Sequence, residues 1–432
     1  MTALDKKIKN KIIKYFDRLF PLNRSLTGKD YQKSLKILKE IIPLKKIDFK
    51  SGSKVFDWKI PLEWNVKNAY ILDKNKKKII DFKKNNLHLM GYSKKVSKTI
   101  NLKQLKKNLH FIKEIPNAVP YVTSYYKKRW GFCLSFNQYK KLKNQKYKVK
   151  IDSELKKGKL SVGECLIKGK SKKEILITSY LCHPSMANNE LSGPLTLSFL
   201  YNSLKKKKFK YSIRFLIAPE TIGTIAYLSR YKDKIKKNVI CGYVLSCCGL
   251  NKMPHYKESK KGDGIGDIAM KAILSKKEHK ILKYNPIGSD ETRYGTVGIN
   301  VPVGAYLRSD FDKYKQYHTS LDNKKIINFN KIVENIKILT SVIYFINKSD
   351  FYISRVKNCE PFLTKHHIYP TISKFNSLNK LKKITSAIMW INANSDGKTS
   401  NIEISKKSGI NLNFIDSTIR MLEKKNILKK LS

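Results

Sequence analysis

The stretch that decides the fold covers residues 181–193 and reads LCHPSMANNELSG. It follows an apolar, strand-like run at residues 174–180 and precedes an amphipathic, helix-like run at residues 194–204. A histidine, two amides and an acid therefore stand where a buried strand ends and a helix begins, and in open α/β sheets this is the edge that binds ligands. The imidazole of His183 is the commonest type of metal ligand, although a lone histidine in a polar loop is a weak motif.

Two further strand-like runs end in polar residues in the same way. Residues 212–218 lead into the sequence PETIG, which contains Glu220, and residues 239–245 lead into SCCG. A late loop, YHTSLDN at residues 317–323, adds His318. Because parallel strands bring their carboxyl ends to one edge of a sheet, we expect these side chains to lie close together. Two histidines and a glutamate fit a metal site with a carboxylate general base.

Several longer phrases of the chain point to one family. They are FPLNRSLTG at 20–28, YVTSYY at 121–126, RWGFC at 129–133, CHPS at 182–185, PETIG at 219–223, GSDE at 288–291 and YHTSLDN at 317–323. With them the chain resembles, over nearly its whole length, the bacterial aminopeptidase-like proteins, a branch of the double-zinc aminopeptidases often named for polysaccharide biosynthesis. The resemblance implies an α/β fold: a doubly wound, zinc-aminopeptidase-like sheet with a small β-rich inserted domain and a C-terminal winged helix-turn-helix.

The resemblance also assigns metal-ligand positions, which this chain fills only in part. In chain order the five ligands of the family fall on His183, Asn189, Thr221, Ser246 or a neighbour, and His318. Three carboxylates are thereby lost, so that two divalent ions would stay almost uncompensated in a low-dielectric cleft. We therefore expect one zinc ion at most, held by the two histidines, with Asn189, Glu190 or a water molecule completing the shell.

Glu220 stands at the position of the family's general base. Its presence implies a hydrolase of amide bonds that acts on a small peptide or amino-sugar-like substrate, with a link to surface polysaccharide biosynthesis. Two other functions remain open: a non-catalytic ligand-binding protein on an aminopeptidase scaffold, and a DNA-binding regulator with a ligand-sensing domain.

Four further residues are candidates for substrate contacts: Glu190, Asp290, Glu291 and Arg293. Asp290 and Glu291 lie in a Gly-Ser-Asp-Glu turn, where they could hold a substrate amine or supply a missing ligand. Capping of the turn is the structural alternative for Asp290. Arg293 could bind a carboxylate or phosphate through two parallel hydrogen bonds, or it could be a structural arginine.

The 432 residues are long enough for two or three domains. Changes of pattern divide them into an N-terminal part of the aminopeptidase-like domain at 1–55, an inserted β-rich domain at 56–150, the main part at 151–346, and a linker with the winged helix at 347–432. Apolar spacing predicts amphipathic helices at 6–20 and 29–42, and a linker over 347–376. It also predicts a third helix of the winged fold around residues 414–422.

Composition limits the partners. The net charge of +57 is nearly all lysine and is spread through every segment. A base-composition bias of the genome would produce this, so we expect only weak, non-specific binding of nucleic acid. The sequence contains no apolar run of membrane-span length and no signal-peptide core, and its seven cysteines form no Cys-x-x-Cys pair. These features predict a cytoplasmic protein without membrane contact, and they do not fix an oligomeric state.

Overall fold

The structure, a computed structural model, describes residues 2–356, 358–368 and 375–431. The chain opens with helix α1 (Ala3–Leu19), helix α2 (Lys29–Lys39) and strand β1 (Lys45–Lys50). A capping box between Thr2 and Asp5 satisfies the first amides of α1. Helix α2 ends three residues before its predicted limit, because a proline at position 43 disfavours helical backbone in the residue before it.

A β-rich segment follows. Its elements are β2 (Lys54–Val55), β3 (Trp58–Lys59), β4 (Glu63–Leu72), β5 (Lys78–Asp81), β6 (Val96–Asn101), α3 (Leu102–Lys106), β7 (Leu109–His110), β8 (Phe132–Cys133), α4 (Phe136–Lys140) and β9 (Lys146–Lys156). Four of these strands form an antiparallel sheet in the order β5-β4-β9-β6. In β9 the buried residues Tyr147, Val149 and Ile151 alternate with lysines, so one face of the sheet packs inward and the other meets solvent.

The main body alternates strands and helices. It consists of β10 (Lys159–Ile167), β11 (Ser171–Tyr180), a π-helical turn (Ala187–Leu191), α5 (Ser192–Leu204), β12 (Tyr211–Ala218), α6 (Ile222–Asn238), β13 (Val239–Leu245), β14 (His255–Lys257), α7 (Ile265–Leu274), β15 (Lys280–Leu282), α8 (Asp290–Tyr294), β16 (Val303–Leu307) and α9 (Phe329–Asn347). Its eight-stranded sheet runs β1-β10-β12-β11-β13-β16-β14-β15, and the four middle strands β12, β11, β13 and β16 are parallel.

Both faces of this sheet are covered. Helices α1, α5, α7 and α9 pack on one face, and α6, α8 and the β-rich segment pack on the other, which gives one apolar core on each side. The parallel strands are therefore buried on both faces and are almost continuously apolar, as in residues Tyr211–Ala218. This arrangement leaves the strand ends as the place where polar side chains can collect.

The C-terminal segment forms a third small core. It comprises β17 (Phe351–Ser354), α10 (Phe375–Asn394), β18 (Asp396–Ser400), α11 (Asn401–Ser408), α12 (Leu412–Lys424) and β19 (Leu428–Lys430), with the sheet order β18-β17-β19. Gly409 adopts a left-handed conformation (φ 70°) and separates α11 from α12, and the predicted third helix is confirmed as α12. The predicted linker contains strand β17, whose pairing partners lie far away in sequence; residues 369–374 of that linker lie outside the described residues.

The C-terminal segment docks on the main body close to the point where the two join. The Phe351 ring lies 6.0 Å from the Tyr211 ring and is buried, and Lys261 pairs with Glu403 at 2.6 Å. Among the described residues, none of the helices combines the length and apolar character needed to cross a bilayer.

Candidate functional site

The candidate site lies at the carboxyl edge of the four parallel strands. The loops that follow β11, β12, β13 and β16 meet there, and the loop at residues 317–323 joins them from further along the chain. The parallel arrangement thus brings together the strand-end residues that the sequence singled out.

His183 is held in a fixed orientation by Glu190. The Nδ1 atom of His183 lies 2.7 Å from Oε2 of Glu190, and Oε1 of Glu190 accepts hydrogen bonds from the backbone N–H groups of Cys182 and His183. With Nδ1 engaged, Nε2 of His183 faces the cleft and lies 3.6 Å from Oε2 of Glu220. A carboxylate behind the distal nitrogen is the usual way in which proteins orient a metal-binding histidine.

Glu190 is fully buried behind His183 rather than exposed to a substrate. Its Oε1 atom lies 3.8 Å from Nε of Arg24, and neither side chain is exposed. Burial acts to lower the pKa of His183, but the nearby Cys182 and Glu190 outweigh it and hold the pKa well above its usual value, so a metal ion bound at Nε2 would have to displace a proton from that atom. The geometry therefore fits a positioning role for Glu190, with Arg24 balancing its charge.

His318 completes a pair of imidazoles. Its ring centroid lies 5.2 Å from that of His183, and the Tyr121 ring packs edge-on against both at 5.0 and 5.4 Å. Tyr317 stacks on His318 at 4.0 Å. The Nε2 atom of His318 is buried and has no hydrogen-bond partner among the described residues. Burial, together with the charge of His183, lowers the pKa of His318 to about 3, so its ring is neutral and keeps a free lone pair.

Glu220 is the acid that remains open to the cleft. Its side chain is 26% exposed, and the hydroxyl of Ser289 donates a hydrogen bond of 2.5 Å to Oε1. Burial raises the pKa of Glu220 above its ordinary value, although His183 opposes the shift. One oxygen of the carboxylate is thus held by Ser289, while the other stays near His183 Nε2.

The Gly-Ser-Asp-Glu turn at residues 288–291 contacts the loop that carries Glu220. Oδ1 of Asp290 accepts the backbone N–H of Thr221 at 2.8 Å, and burial raises the pKa of Asp290 to about 7. Glu291 is fully buried and pairs with Lys257 at 2.9 Å. Arg293 points elsewhere: its Nη1 bonds to Thr292, and the side chain lines a neighbouring apolar cavity.

Asn189 lies in the π-helical turn beside His183. Its Oδ1 atom accepts a hydrogen bond from the Tyr180 hydroxyl at 3.3 Å. The backbone amides of Asn188 and Asn189 donate to the carboxylate of Asp322 at 2.6 and 2.9 Å. Asp322 is thus the anchor of the turn that carries Glu190.

Sequence reasoning gave no role to Arg24, Tyr121 or Asp322. All three lie within the phrases that carried the family resemblance, which was the available signal. Their partners are more than 60 positions away in the chain, so no local pattern reveals the contacts.

The backbone around the site is strained. Four non-glycine residues of its loops adopt left-handed conformations: Ser185 (φ 43°), Thr221 (φ 61°), Cys247 (φ 47°) and His318 (φ 52°). Such conformations are uncommon outside glycine, and for a β-branched residue such as Thr221 they are exceptional. Backbone strain of this kind collects at functional sites.

The donor set fits one metal ion better than two. Two imidazoles that share a tetrahedral zinc at about 2.0 to 2.1 Å have ring centroids about 5 Å apart, which matches the separation of His183 and His318. The Nε2 atom of His318, which has no hydrogen-bond partner among the described residues, also fits a ligand of a single ion. Thr221 and Ser246 offer no carboxylate for a second ion. Donor atoms of Cys182, His183 and Glu190 also lie within 4.8 Å of one another, but burial raises the pKa of the Cys182 thiol to about 11, which disfavours the thiolate that metals require.

Comparisons with known proteins agree with this architecture. The family model described as "Domain of unknown function (DUF4910)" matches residues 13–349, and a winged helix-turn-helix model matches residues 351–430. A curated protein of Clostridium acetobutylicum, provisionally named a polysaccharide biosynthesis protein with an aminopeptidase-like domain, is 40% identical over 442 residues, covering 99% of this chain and all of that protein.

Solved structures resemble the chain as well. A Clostridium acetobutylicum protein provisionally described as a peptidase is 39% identical, with a TM-score of 0.79 over 99% of this chain and 97% of its own. A zinc aminopeptidase from Bacillus subtilis (TM-score 0.58, 11% identity, 79% of this chain and 94% of its own) and an M28 peptidase precursor from Shewanella amazonensis (0.54, 12%, 80% and 96%) share the fold. The predicted fold class, an aminopeptidase-like α/β sheet with a C-terminal winged helix, is confirmed.

Proposed function

We propose that this chain, which belongs to the family of bacterial aminopeptidase-like proteins matched by the DUF4910 model, is a metal-dependent hydrolase of a small amide substrate. The observation that supports this most directly is the position of Glu220. Its Oε2 atom lies 3.6 Å from Nε2 of His183, whose ring lies 5.2 Å from that of His318. A carboxylate beside two imidazoles is the combination that metal-assisted hydrolysis uses.

The contacts of these residues support a role for each of them. A zinc ion bound by His183 and His318 would supply Lewis acidity and lower the pKa of water. Glu220 would take a proton from water at Oε2, because Ser289 occupies Oε1. The raised pKa of Glu220 brings it nearer to the operating pH, which favours a group that must accept and then return a proton. Tyr121 covers both imidazoles and limits the entry of bulk water.

A cavity of about 570 Å³, lined in part by Thr221, supports a proposal for the kind of substrate. Thr221, next to Glu220 in the chain, lines it together with Phe56, Trp58 and Ile225. Arg293 also lines this cavity, and its guanidinium is the cationic group that would bind a carboxylate or another anion there. We therefore propose a substrate that combines an apolar group with an anionic one, of the size of a short peptide or an acylated amino sugar.

The name of the Clostridium acetobutylicum relative supports a place in surface polysaccharide biosynthesis. In that setting the amide bond would belong to a modified sugar or to a peptide attached to one. We propose this link on the basis of the relative's name, and a substrate screen should therefore include both N-acyl amino sugars and short peptides.

The test compares the wild-type protein with Glu220→Gln. Both proteins, supplied with zinc, are offered aminoacyl amides, N-acyl amino sugars and short peptides. The amide is nearly isosteric with the carboxylate, so fold and metal content should persist, while hydrolysis should fall by about 100- to 10,000-fold. Glu40→Gln, an exposed change in a surface pair with Arg18, is the matched control and should keep full activity.

Turnover that survives unchanged in Glu220→Gln would show that Glu220 is not the base. If the wild type turns over none of these substrates with zinc supplied, the result favours a second function, a binding protein on this scaffold. The absence of carboxylates at Asn189 and Thr221 is the observation that keeps this second function open. Ligand binding that persists in metal-free protein would select it.

A further inference from the structure

A second cavity, of about 620 Å³, lies between the main body and the C-terminal segment. One wall is formed by the start of β11, the end of α6 and the residues before β16; the other is formed by β18 and α11. These are the amino ends of the parallel strands, whereas Glu220 follows a carboxyl end. The cavity is therefore on the opposite edge of the sheet from the candidate active site.

Lysines dominate the lining of this interdomain cavity. They are Lys173, Lys236, Lys237, Lys261, Lys398 and Lys407, set against the acids Asp396 and Glu403, which gives a net charge of +4. Six of the 15 lining residues are lysine, while Lys and Arg together make up 90 of the 432 residues of the chain. Because most lysines of this chain are exposed, their number alone does not mark a site; their convergence from two walls on one cavity does.

Only two of the six lysines have a carboxylate partner among the described residues. Lys261 pairs with Glu403 at 2.6 Å and Lys407 with Asp263 at 3.6 Å. Lys173 donates to the backbone oxygen of Gly397, and Lys236 to that of Gly298. Lys237 and Lys398 have neither kind of partner in the described part of the chain.

The acids of the cavity compensate only part of this charge, since Glu403 is paired with Lys261. Oδ1 of Asp396 accepts the backbone N–H groups of Lys398 and Thr399, so it closes its own turn. Lys173 is half-buried, and burial lowers its pKa; the carboxylate of Asp396 opposes this shift, and the charge of Lys398 adds to it. Several ammonium groups that line one cleft between low-dielectric walls create a focused positive field, which attracts an anion.

We infer that this interdomain cavity binds a small molecule through a diphosphate group. Several lysines that converge from two walls suit the oxygens of linked phosphates, which spread charge in several directions, whereas a single carboxylate is better matched by the planar fork of arginine. The volume is that of a small-molecule site. Because the lysines come from both walls, the bound diphosphate would join the C-terminal segment to the main body.

The experiment titrates inorganic pyrophosphate into the full-length protein by calorimetry, at a salt concentration of about 0.15 M. Lys237→Met and Lys398→Met each remove one exposed ammonium group, one from each wall, and keep an unbranched side chain. Each variant should bind pyrophosphate at least about tenfold more weakly, the loss expected for one charge-assisted hydrogen bond. Lys234→Met on α6 and Lys406→Met on α11 are exposed neighbours outside the lining, and they should bind as the wild type does.

Titrations with other phosphate compounds distinguish the kinds of molecule that could carry the diphosphate. Orthophosphate should bind more weakly than pyrophosphate, and a nucleoside diphosphate that binds more tightly would point to a nucleotide-linked ligand. The inference is overturned if pyrophosphate does not bind, if the control variants lose as much affinity as the cavity variants, or if duplex DNA displaces pyrophosphate in a manner that depends on Lys237 and Lys398. None of these outcomes bears on Glu220 or on hydrolysis.

Discussion

The change Asp322→Ala should loosen the turn that carries Glu190. The buried carboxylate of Asp322 accepts the backbone amides of Asn188 and Asn189 at 2.6 and 2.9 Å, and the Tyr314 hydroxyl at 2.8 Å. The amide of Ala187 also reaches it, but that amide keeps a second acceptor in the backbone oxygen of Asp322 at 3.1 Å.

The expected loss of free energy follows from the number of hydrogen-bond donors that lose their acceptor. In Asp322→Ala three buried donors are left unpaired, and each costs about 1 to 3 kcal/mol. We expect the free energy of opening this turn to fall by about 4 kcal/mol, and amide exchange limited by that opening to accelerate on the order of 1,000-fold. Because Glu190 orients His183, affinity for zinc should fall as well.

Hydrogen exchange followed by mass spectrometry measures this opening separately for each peptide of the chain. Peptides that cover residues 187–191 should exchange faster in Asp322→Ala, while peptides of β12 should keep their protection. Asp17→Ala is the matched control, since Asp17 forms an exposed pair with Lys324 and its loss should cost no more than about 1 kcal/mol. Unchanged protection at 187–191 would refute the anchoring role of Asp322, and uniform loss of protection would show that its contribution is global.

Three more predictions address the site and the C-terminal segment. Elemental analysis of protein saturated with zinc and then desalted should find one tightly held ion per chain at most, lost in His183→Ala or His318→Ala; two ions would contradict this. Asp290→Asn should gain stability relative to the wild type as pH rises. The pKa of Asp290 is about 7 in the folded chain against about 3.9 unfolded, so the stability that this carboxyl group contributes is fully present below pH about 4 and falls by about 1.4 kcal/mol per pH unit until pH about 7. Chemical denaturation should therefore show the difference in stability between the variant and the wild type widening by about 2 to 3 kcal/mol between pH 5 and 7. Full-length protein should bind duplex DNA weakly and without sequence preference in anisotropy titrations, because α12 carries two acidic and two basic residues; a tight, sequence-specific complex at physiological salt would contradict this.

The strand ends could be predicted from the sequence because their signal is local. Buried parallel strands read as continuous apolar runs, and the residue after each run must lie at the same edge of the sheet. This reasoning predicted that His183 and Glu220 lie close together, and the structure places Nε2 of His183 3.6 Å from Oε2 of Glu220. The helix α12 was predictable for the same reason, since its apolar spacing repeats over three turns.

Contacts between distant segments could not be predicted in this way. Glu190 was a candidate for substrate contact, but its carboxylate is taken up by His183 and lies against Arg24, a residue 166 positions earlier in the chain. Strand β17 was assigned to a linker, because four residues hold too little pattern until β18 and β19 supply the pairing. In both cases the role of the residues depends on a contact with a segment far away in the chain, and local composition and spacing do not reveal such contacts.

The left-handed backbone at Ser185, Thr221, Cys247 and His318 has a consequence for attempts to engineer this protein. Each such residue costs on the order of 1 kcal/mol or more, so strain is stored at the edge that holds the candidate site. Glycine at Cys247 would relieve that strain, yet it would also let the loop sample other shapes. Thermostable versions should therefore come from changes on the lysine-rich surface, where charge repulsion can be reduced without moving the imidazoles.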